Sequence, residues 1–217
     1  MVDRGTAQPR LVLASSSTYR QELLASLGVE FEVVEPAIDE RAADQLLATL
    51  GPAGLAVHIA MLKGRSVLEQ VLATQAVDHA GVVVLAGDQL GVVETTHGPQ
   101  LLHKADSLDA AVKQLMMLSG GEHLLINGLC VLDSRRDSPL SEVDVHRISM
   151  RRFSTQEARI YVERCTPLDC AGSYRIEDDC DFIQSVEGSG DSGVIGLPLA
   201  LTQSLLEQSG IRVRGLR

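Results

Sequence analysis

Tryptophan is absent from the 217-residue chain, and phenylalanine and tyrosine occur three times each. Aliphatic side chains must therefore fill the core, and an aromatic residue beside a polar loop, such as Tyr19, becomes informative. Cysteine is scarce as well. Cys130, Cys165, Cys170 and Cys180 form no C-x-x-C pair and have no histidines at zinc spacing, which argues against a secreted disulfide framework and for reduced thiols. Positive charge is in deficit, with 19 Lys and Arg against 29 Asp and Glu for a net charge of −10. A nucleic-acid partner normally requires a basic face, so none is expected, and an anionic ligand must meet local cations instead. No apolar run approaches the roughly 20 residues of a spanning helix, and Met1-Val2-Asp3-Arg4 is not a basic segment followed by an apolar one. The expectation is a cytoplasmic chain with no membrane partner. What remains, 45% hydrophobic and 22% charged residues, is a globular composition with ample core for one large domain or two small lobes, which excludes disorder and collagen-like repeats.

Short apolar runs and turn signals set the expected order of elements. Arg10 to Ala14 reads as a buried strand, Ser15 to Thr18 as a loop, and Leu23, Leu24 and Leu27 as one face of a helix ended by Gly28. Phe31 to Val34 is a second strand. A helix-favouring segment after Glu40 is broken by Gly51-Pro52, where a loop or hinge is expected, and Leu55 to Leu72 is an apolar helix interrupted by Lys63. Val82 to Ala86 has the β-branched content of a strand buried on both faces, ending in Gly87-Asp88-Gln89. Leu90 to Val93 continues it, Glu94 to His103 reads as a polar stretch, and Asp106 to Leu118 as a helix. Leu124 to Leu132 and Glu142 to Met150 form a long hairpin. Ser154-x-x-Glu157 is a capping box opening a helix to Arg164. Thr166 to Glu177 is irregular, Asp181 to Val186 a strand, Glu187 to Ser192 a Gly/Ser loop, and Pro198 lies in the first turn of a terminal helix.

Three groups of residues carry chemistry. Ser15, Ser17, Tyr19 and Arg20 stand at a helix amino terminus, where unpaired backbone donors, the helix dipole and a guanidinium suit a phosphate. A plain capping box, Thr18-x-x-Gln21, explains the same residues without a ligand. Glu40 and Asp88 follow strands, and Asp88 lies at the carboxyl end of an expected central strand, where open α/β sheets place their ligands. Together they could hold a hard divalent metal cation such as Mg²⁺ and leave a carboxylate to activate water. Lys63 and Lys104 are the matching cations for a triphosphate, although Lys63 could equally snorkel from an apolar helix and Lys104 lie on the surface.

These segments occur in a fixed order: Leu13-Ala14-Ser15-Ser16-Ser17-Thr18-Tyr19-Arg20, Asp39-Glu40, Lys63, Gly87-Asp88-Gln89, Cys170-Ala171-Gly172-Ser173-Tyr174, Glu177 and Gly196-Leu197-Pro198-Leu199. The chain thereby resembles the Maf family of nucleoside triphosphate pyrophosphatases from Arg10 to the terminal helix. The resemblance implies one Maf/ITPase-like α/β domain over residues 1–217, a long mixed β-sheet with flanking helices forming two lobes around a cleft. It also implies cleavage of a small-molecule nucleoside triphosphate to monophosphate and pyrophosphate with Mg²⁺ or Mn²⁺, and a homodimer. Asp88 would be the catalytic acid-base residue and, with Glu40, a metal ligand, while Arg20, Lys63 and Lys104 would neutralise phosphate charge. Gly-Asp-Gln in place of an Asp-Thr version resembles the branch acting on 7-methyl-GTP, with Tyr19, Gln89 and Glu177 at the positions that select the base. N7-methylation leaves guanine positively charged, so an aromatic face can stack on it for about 0.5–2 kcal/mol. Glu177 could accept from guanine N1 and N2 donors, with Gln89 completing that edge.

The pattern also departs from the family. Thr18 stands where proline is usual, Gln21 replaces an arginine, His103-Lys104-Ala105 replaces Gly-Lys-Pro, Asn127 replaces a threonine, and Gly64 follows Lys63 in place of alanine. Two other readings stay open: a UTP/dTTP or broad-range pyrophosphatase with the same chemistry, and a non-catalytic nucleotide-binding regulator of septum formation.

Overall fold

The computed structural model describes residues 8–74, 80–178 and 181–215. The chain divides into two compact units, each built from separated stretches. The first comprises Met1–Asp88, Asn127–Asp144 and Asp191–Arg217; the second comprises Gln89–Ile126 and Val145–Gly190. A mixed α/β architecture results. Its seven-stranded sheet has the order β2-β1-β3-β5-β6-β7, with β4 paired to β3.

In the first unit, β1 (Arg10–Ala14) lies parallel to both β2 (Glu32–Val34) and β3 (Val82–Thr95). Leu11 to Ala14 and Val82 to Ala86 are all buried, as a parallel sheet covered on two faces requires. Strand alternation sorts these residues into two cores. Leu11, Leu13, Val83 and Leu85 pack with Leu24 of α1 (Thr18–Ser26), with its C-cap Leu27, and with Leu205 of α6 (Leu199–Gln208). Val12, Ala14, Val84 and Ala86 face Ala60, Val67 and Val71 of α2 (Leu47–Thr74). Gly28, at φ 67°, ends α1 as expected.

α2 bears out one expectation and corrects another. The break expected at Gly51-Pro52 is a kink between two helical stretches: a 3-10 helix over Glu40–Leu46 runs into α2, and Gly51 leaves helical geometry, at φ 66° and ψ 170°. By length and composition the 35 residues from Glu40 to Thr74 do suffice to cross a membrane, contrary to the sequence reading. The packing of this helix points elsewhere, because Ala56, Ala60, Lys63, Gly64, Val67 and Val71 form a buried stripe, part of it in the core beneath the sheet.

The second unit holds the rest of β3, β4 (Gly98–Leu102), α3 (Leu108–Leu118), the first part of β5 (Glu122–Asp133), the second part of β6 (Leu140–Met150), α4 (Thr155–Cys165) and β7 (Ile183–Glu187). The stretch expected to be merely polar, Glu94 to His103, is a hairpin in which β4 pairs antiparallel with β3. Thr95 Oγ1 closes its turn on the Gly98 carbonyl at 2.8 Å, and Gly98 takes φ 100°. Both bonds of the Ser154–Glu157 capping box form. Scarce aromatics concentrate here: Phe153 stacks on Phe182 with centroids 4.1 Å apart, and Tyr161 meets Phe182 edge-on at 5.3 Å. The short helix α5 (Asp191–Ile195), in the first unit, begins inside the expected Gly/Ser loop. Cys130 is buried, Cys165 and Cys170 are partly covered, all three are free thiols, and Cys180 lies outside the described residues.

Close backbone approach in the first unit depends on Gly128 of β5. A Cβ there would lie 2.2 Å from the Ala56 carbonyl carbon and 2.4 Å from the Val57 nitrogen, both main-chain atoms that no rotamer change can move. Gly128→Ala is therefore expected to cost about 3 kcal/mol through overpacking. At roughly 2–4 °C per kcal/mol, the thermal midpoint should fall by about 6–12 °C. Gly121→Ala, whose Cβ would meet only the Leu118 carbonyl at 3.7 Å, should leave the midpoint within about 2 °C in the same melting experiment.

Candidate active site

The loop after β1 is organised by its serines. Ser15 Oγ, buried, accepts from the Ser17 amide at 3.1 Å, and Ser17 Oγ accepts from the Arg20 amide at 3.4 Å, making Ser17 the N-cap of α1. The capping-box reading of Thr18-x-x-Gln21 is thereby overturned: Thr18 is the first helical residue, and the extended backbone of Ser17, at φ −71° and ψ 119°, suits the cap. Tyr19, in the first turn of α1, is 39% exposed. Arg20 turns inward, its Nε donating to the Gly196 carbonyl at 2.9 Å, with Gly196 at φ 121°. A Cβ on Gly87 would stand 4.0 Å from that Nε, so Arg20 borders the strand just before Asp88. Burial pushes its guanidinium pKa below the usual value, while the negative charges of Asp88 and Glu40 pull it back up.

Those two carboxylates meet at Lys63. Its Nζ lies 2.6 Å from Asp88 Oδ1 and 2.9 Å from Glu40 Oε1. Lys63 and Asp88 are each 5% exposed, so the lysine does not snorkel to solvent, and the ammonium is paired where pairing is needed. Two features of the sequence produce this. Lys63 belongs to the buried stripe of α2, and Asp39 caps the 3-10 helix that Glu40 opens, accepting from the Arg41 amide at 3.1 Å; Gly64 beside the lysine leaves the space that Leu132 Cδ1 fills. Asp88 itself is not at a strand end. β3 continues through it to Thr95, because pairing with β1 stops at Ala14–Ala86 and pairing with β4 takes over at Gly91–Leu102. On that edge of β3, Asp88 falls between the end of the β1 pairing and the start of the β4 pairing, while β5 neighbours β3 on the other edge.

No group of three or more potential metal ligands occurs among the described residues. Asp88 and Glu40 converge on the Lys63 ammonium, which occupies the point they share, so a hard cation such as Mg²⁺ would have to be held by their remaining carboxylate oxygens, with phosphate and water supplying the rest of its shell. Asn127, fully buried, gives both amide protons to the first unit, to the Gly193 carbonyl at 2.8 Å and to Asp144 Oδ2 at 3.2 Å, a pair of bonds a single threonine hydroxyl could not donate. The sequence reading missed the roles of Gly196 and Gly128. Gly196 stood in the quoted Gly-Leu-Pro-Leu segment, a glycine just before a helix start, and that was its only signal.

The remaining sequence-selected residues belong to the second unit. Lys104 forms an isolated antiparallel bridge with Ala171, outside any strand. Gln89 continues β3, and the side chain of Glu177 lies outside what the structure describes. Tyr174, three residues past Ala171, is buried, and its hydroxyl is 2.8 Å from Nε2 of the buried His123. Desolvation pushes the His123 pKa down to about 4.

Two cations and two carboxylates gathered beside a doubly covered parallel strand, with serines at a helix amino terminus, define an α/β protein equipped for a polyanionic ligand. Residues 10–209 match the family model described as Maf-like protein, and the chain belongs to the Maf family. Similar proteins include a 7-methyl-GTP pyrophosphatase of Syntrophotalea carbinolica, 35% identical over 206 residues that cover 94% of this chain and 97% of that one. A 7-methyl-GTP pyrophosphatase of Nitrosococcus oceani is 35% identical over 208 residues, covering 95% and 96%. One of Bdellovibrio bacteriovorus is 33% identical over 205 residues, covering 94% and 99%.

Two expectations follow. Lys63→Met leaves Asp88 buried without its cation and should cost about 3–5 kcal/mol in denaturant unfolding, whereas Lys63→Met with Asp88→Leu should recover most of that loss; equal stabilities of single and double variants would contradict it. His123 is neutral in the folded protein down to pH about 4 but takes up a proton near pH 6.5 when unfolded. The unfolded state therefore binds more protons between those values, and stability should fall by about 3 kcal/mol as pH drops from about 6.5 to 4. In His123→Phe that portion of the pH dependence should vanish from the unfolding curves.

Proposed function

We propose that the protein hydrolyses 7-methyl-GTP, or a closely similar modified nucleoside triphosphate, to the monophosphate and pyrophosphate. The observation that carries this reading is the buried Lys63 ammonium held by both Asp88 and Glu40 beside Arg20. The names of the similar proteins, 7-methyl-GTP pyrophosphatase over nearly the whole chain, supply the substrate class.

In this reading the triphosphate lies against the amino terminus of α1, where the hydroxyls of Ser15 and Ser17 can each donate a proton while still accepting from the backbone. Arg20 and Lys63 offset charge on the phosphate oxygens, and Lys104 adds a further cation. Asp88, oriented by Lys63, takes a proton from water as the water oxygen bonds to the α-phosphorus. The bond from that phosphorus to the bridging oxygen breaks, and the electron pair leaves with pyrophosphate. Glu40 and Asp88 would hold Mg²⁺ or Mn²⁺, which when bound supplies positive charge to phosphate oxygens. Tyr19 offers an aromatic face for the cationic 7-methylguanine, and Gln89 and Glu177 complete recognition of its edge. The free thiols suit a reducing compartment, consistent with action in the cytoplasm.

Incubation with 7-methyl-GTP, GTP, UTP and dTTP, with Mg²⁺ or Mn²⁺ and with chelator, should release pyrophosphate rather than phosphate, fastest from 7-methyl-GTP and only with metal. Asp88→Asn should lower kcat by about 10²–10⁴-fold while the protein stays folded. Preference for UTP would reassign the base, nucleotide binding without any pyrophosphate would favour a sensor, and wild-type turnover in Asp88→Asn would reject the assigned base.

A further inference from the structure

We propose that Gln114 is a positioning residue for Lys104. The inference rests on the reading of Lys104 as a phosphate cation and adds what fixes it. In His103-Lys104-Ala105 neither neighbour stiffens the backbone as a proline would, yet the lysine must be presented from a defined main chain. Gln114, in α3, supplies the restraint. Its Nε2 donates to the carbonyl of His103 at 3.0 Å, and its Oε1 accepts from Ser173 Oγ at 2.6 Å. The amide orientation follows from chemistry, since only the NH₂ end can serve a carbonyl oxygen. One side chain thus joins the residue before Lys104 to the segment with which Lys104 itself pairs, through Ala171.

That segment is tightly determined. Ser173 is fully buried and takes φ 60°, a conformation unusual for a residue with a Cβ, which persists only where the surroundings hold it. Gly172 precedes it at φ 83°, where a Cβ would come 3.0 Å from the Tyr174 ring, and Tyr174 is tied to His123. The Ser173 hydroxyl therefore approaches Gln114 from a fixed point, and Gln114 passes that fixity to His103 and Lys104. A methionine of similar length would fill the space and make neither bond.

The test is a double-mutant cycle on the full chain with 7-methyl-GTP and Mg²⁺, using wild type, Gln114→Met, Lys104→Ala and the pair. If Gln114 acts through Lys104, Gln114→Met should lower kcat/KM about tenfold in the wild-type background but no more than about twofold when Lys104 is already alanine. Gln114→Glu, which keeps the acceptor for Ser173 but sets a carboxylate oxygen against the His103 carbonyl, should behave like Gln114→Met and substitutes for it should that variant fail to fold. Calorimetric binding of inorganic pyrophosphate to the same proteins reads the same coupling without turnover. A merely structural role would lower the thermal midpoint and give additive losses. Additive losses, or wild-type kcat/KM and pyrophosphate affinity in Gln114→Met, overturn the proposal. Wild-type activity and affinity in Lys104→Ala would instead reject the lysine assignment, and the positioning role with it.

Discussion

Lys63 places a full positive charge inside the first unit, and a charge so buried is tolerable only when counter-charges sit against it. Asp88 and Glu40 do so, from a strand and from a 3-10 helix far apart in the chain. That requirement constrains much else. α2 must run close to the sheet, which needs glycine at position 128 on β5, where a Cβ would meet the helix main chain. A larger residue at position 128 would press on the main chain of Ala56 and Val57 and push the helix away. At Gly64, where the family pattern has alanine, Leu132 of β5 fills the space a Cβ would take.

The second unit is organised by different means. Aromatic contacts among Phe153, Tyr161 and Phe182 supply packing that the aliphatic first unit obtains from its two leucine- and valine-lined cores. Polar side chains bridge separated backbone segments here: Gln114 between His103 and Ser173, His123 to Tyr174, and Ser119 Oγ both accepting from and donating to the Phe153 backbone at 2.9 Å. Directional bonds of this kind fix loops whose own sequences do not specify a conformation.

Much of the fold was legible because its signals are local. The β-branched run at 82–86, the Ser154–Glu157 box and Gly28 each state their structure within a few residues, and the helices and strands fall close to where periodicity put them. Misreadings arose where partners decide. β4 resembles a polar loop because an edge strand exposed on its outer side needs few apolar residues. Asp88 looked like a strand terminus because polar residues usually end buried strands, whereas β3 merely changes partners there. Ser17 displaced Thr18 as the cap because four adjacent hydroxyl residues, Ser15 to Thr18, offer equivalent chemistry and only the backbone angles choose among them.

For the site, composition and motif order selected Arg20, Glu40, Lys63 and Asp88 as candidates, because residue type limits which charges and donors exist at all. The chain by itself also fixed the elements that carry them, since hydrophobic period and caps act over one or two turns. Only folding decided that Lys63 is a buried partner of two acids and no snorkelling surface charge, and that Arg20 is held by a carbonyl 176 residues away. Ion pairing and desolvation depend on which groups come within a few ångströms after packing, a distance that spacing along a sequence does not encode.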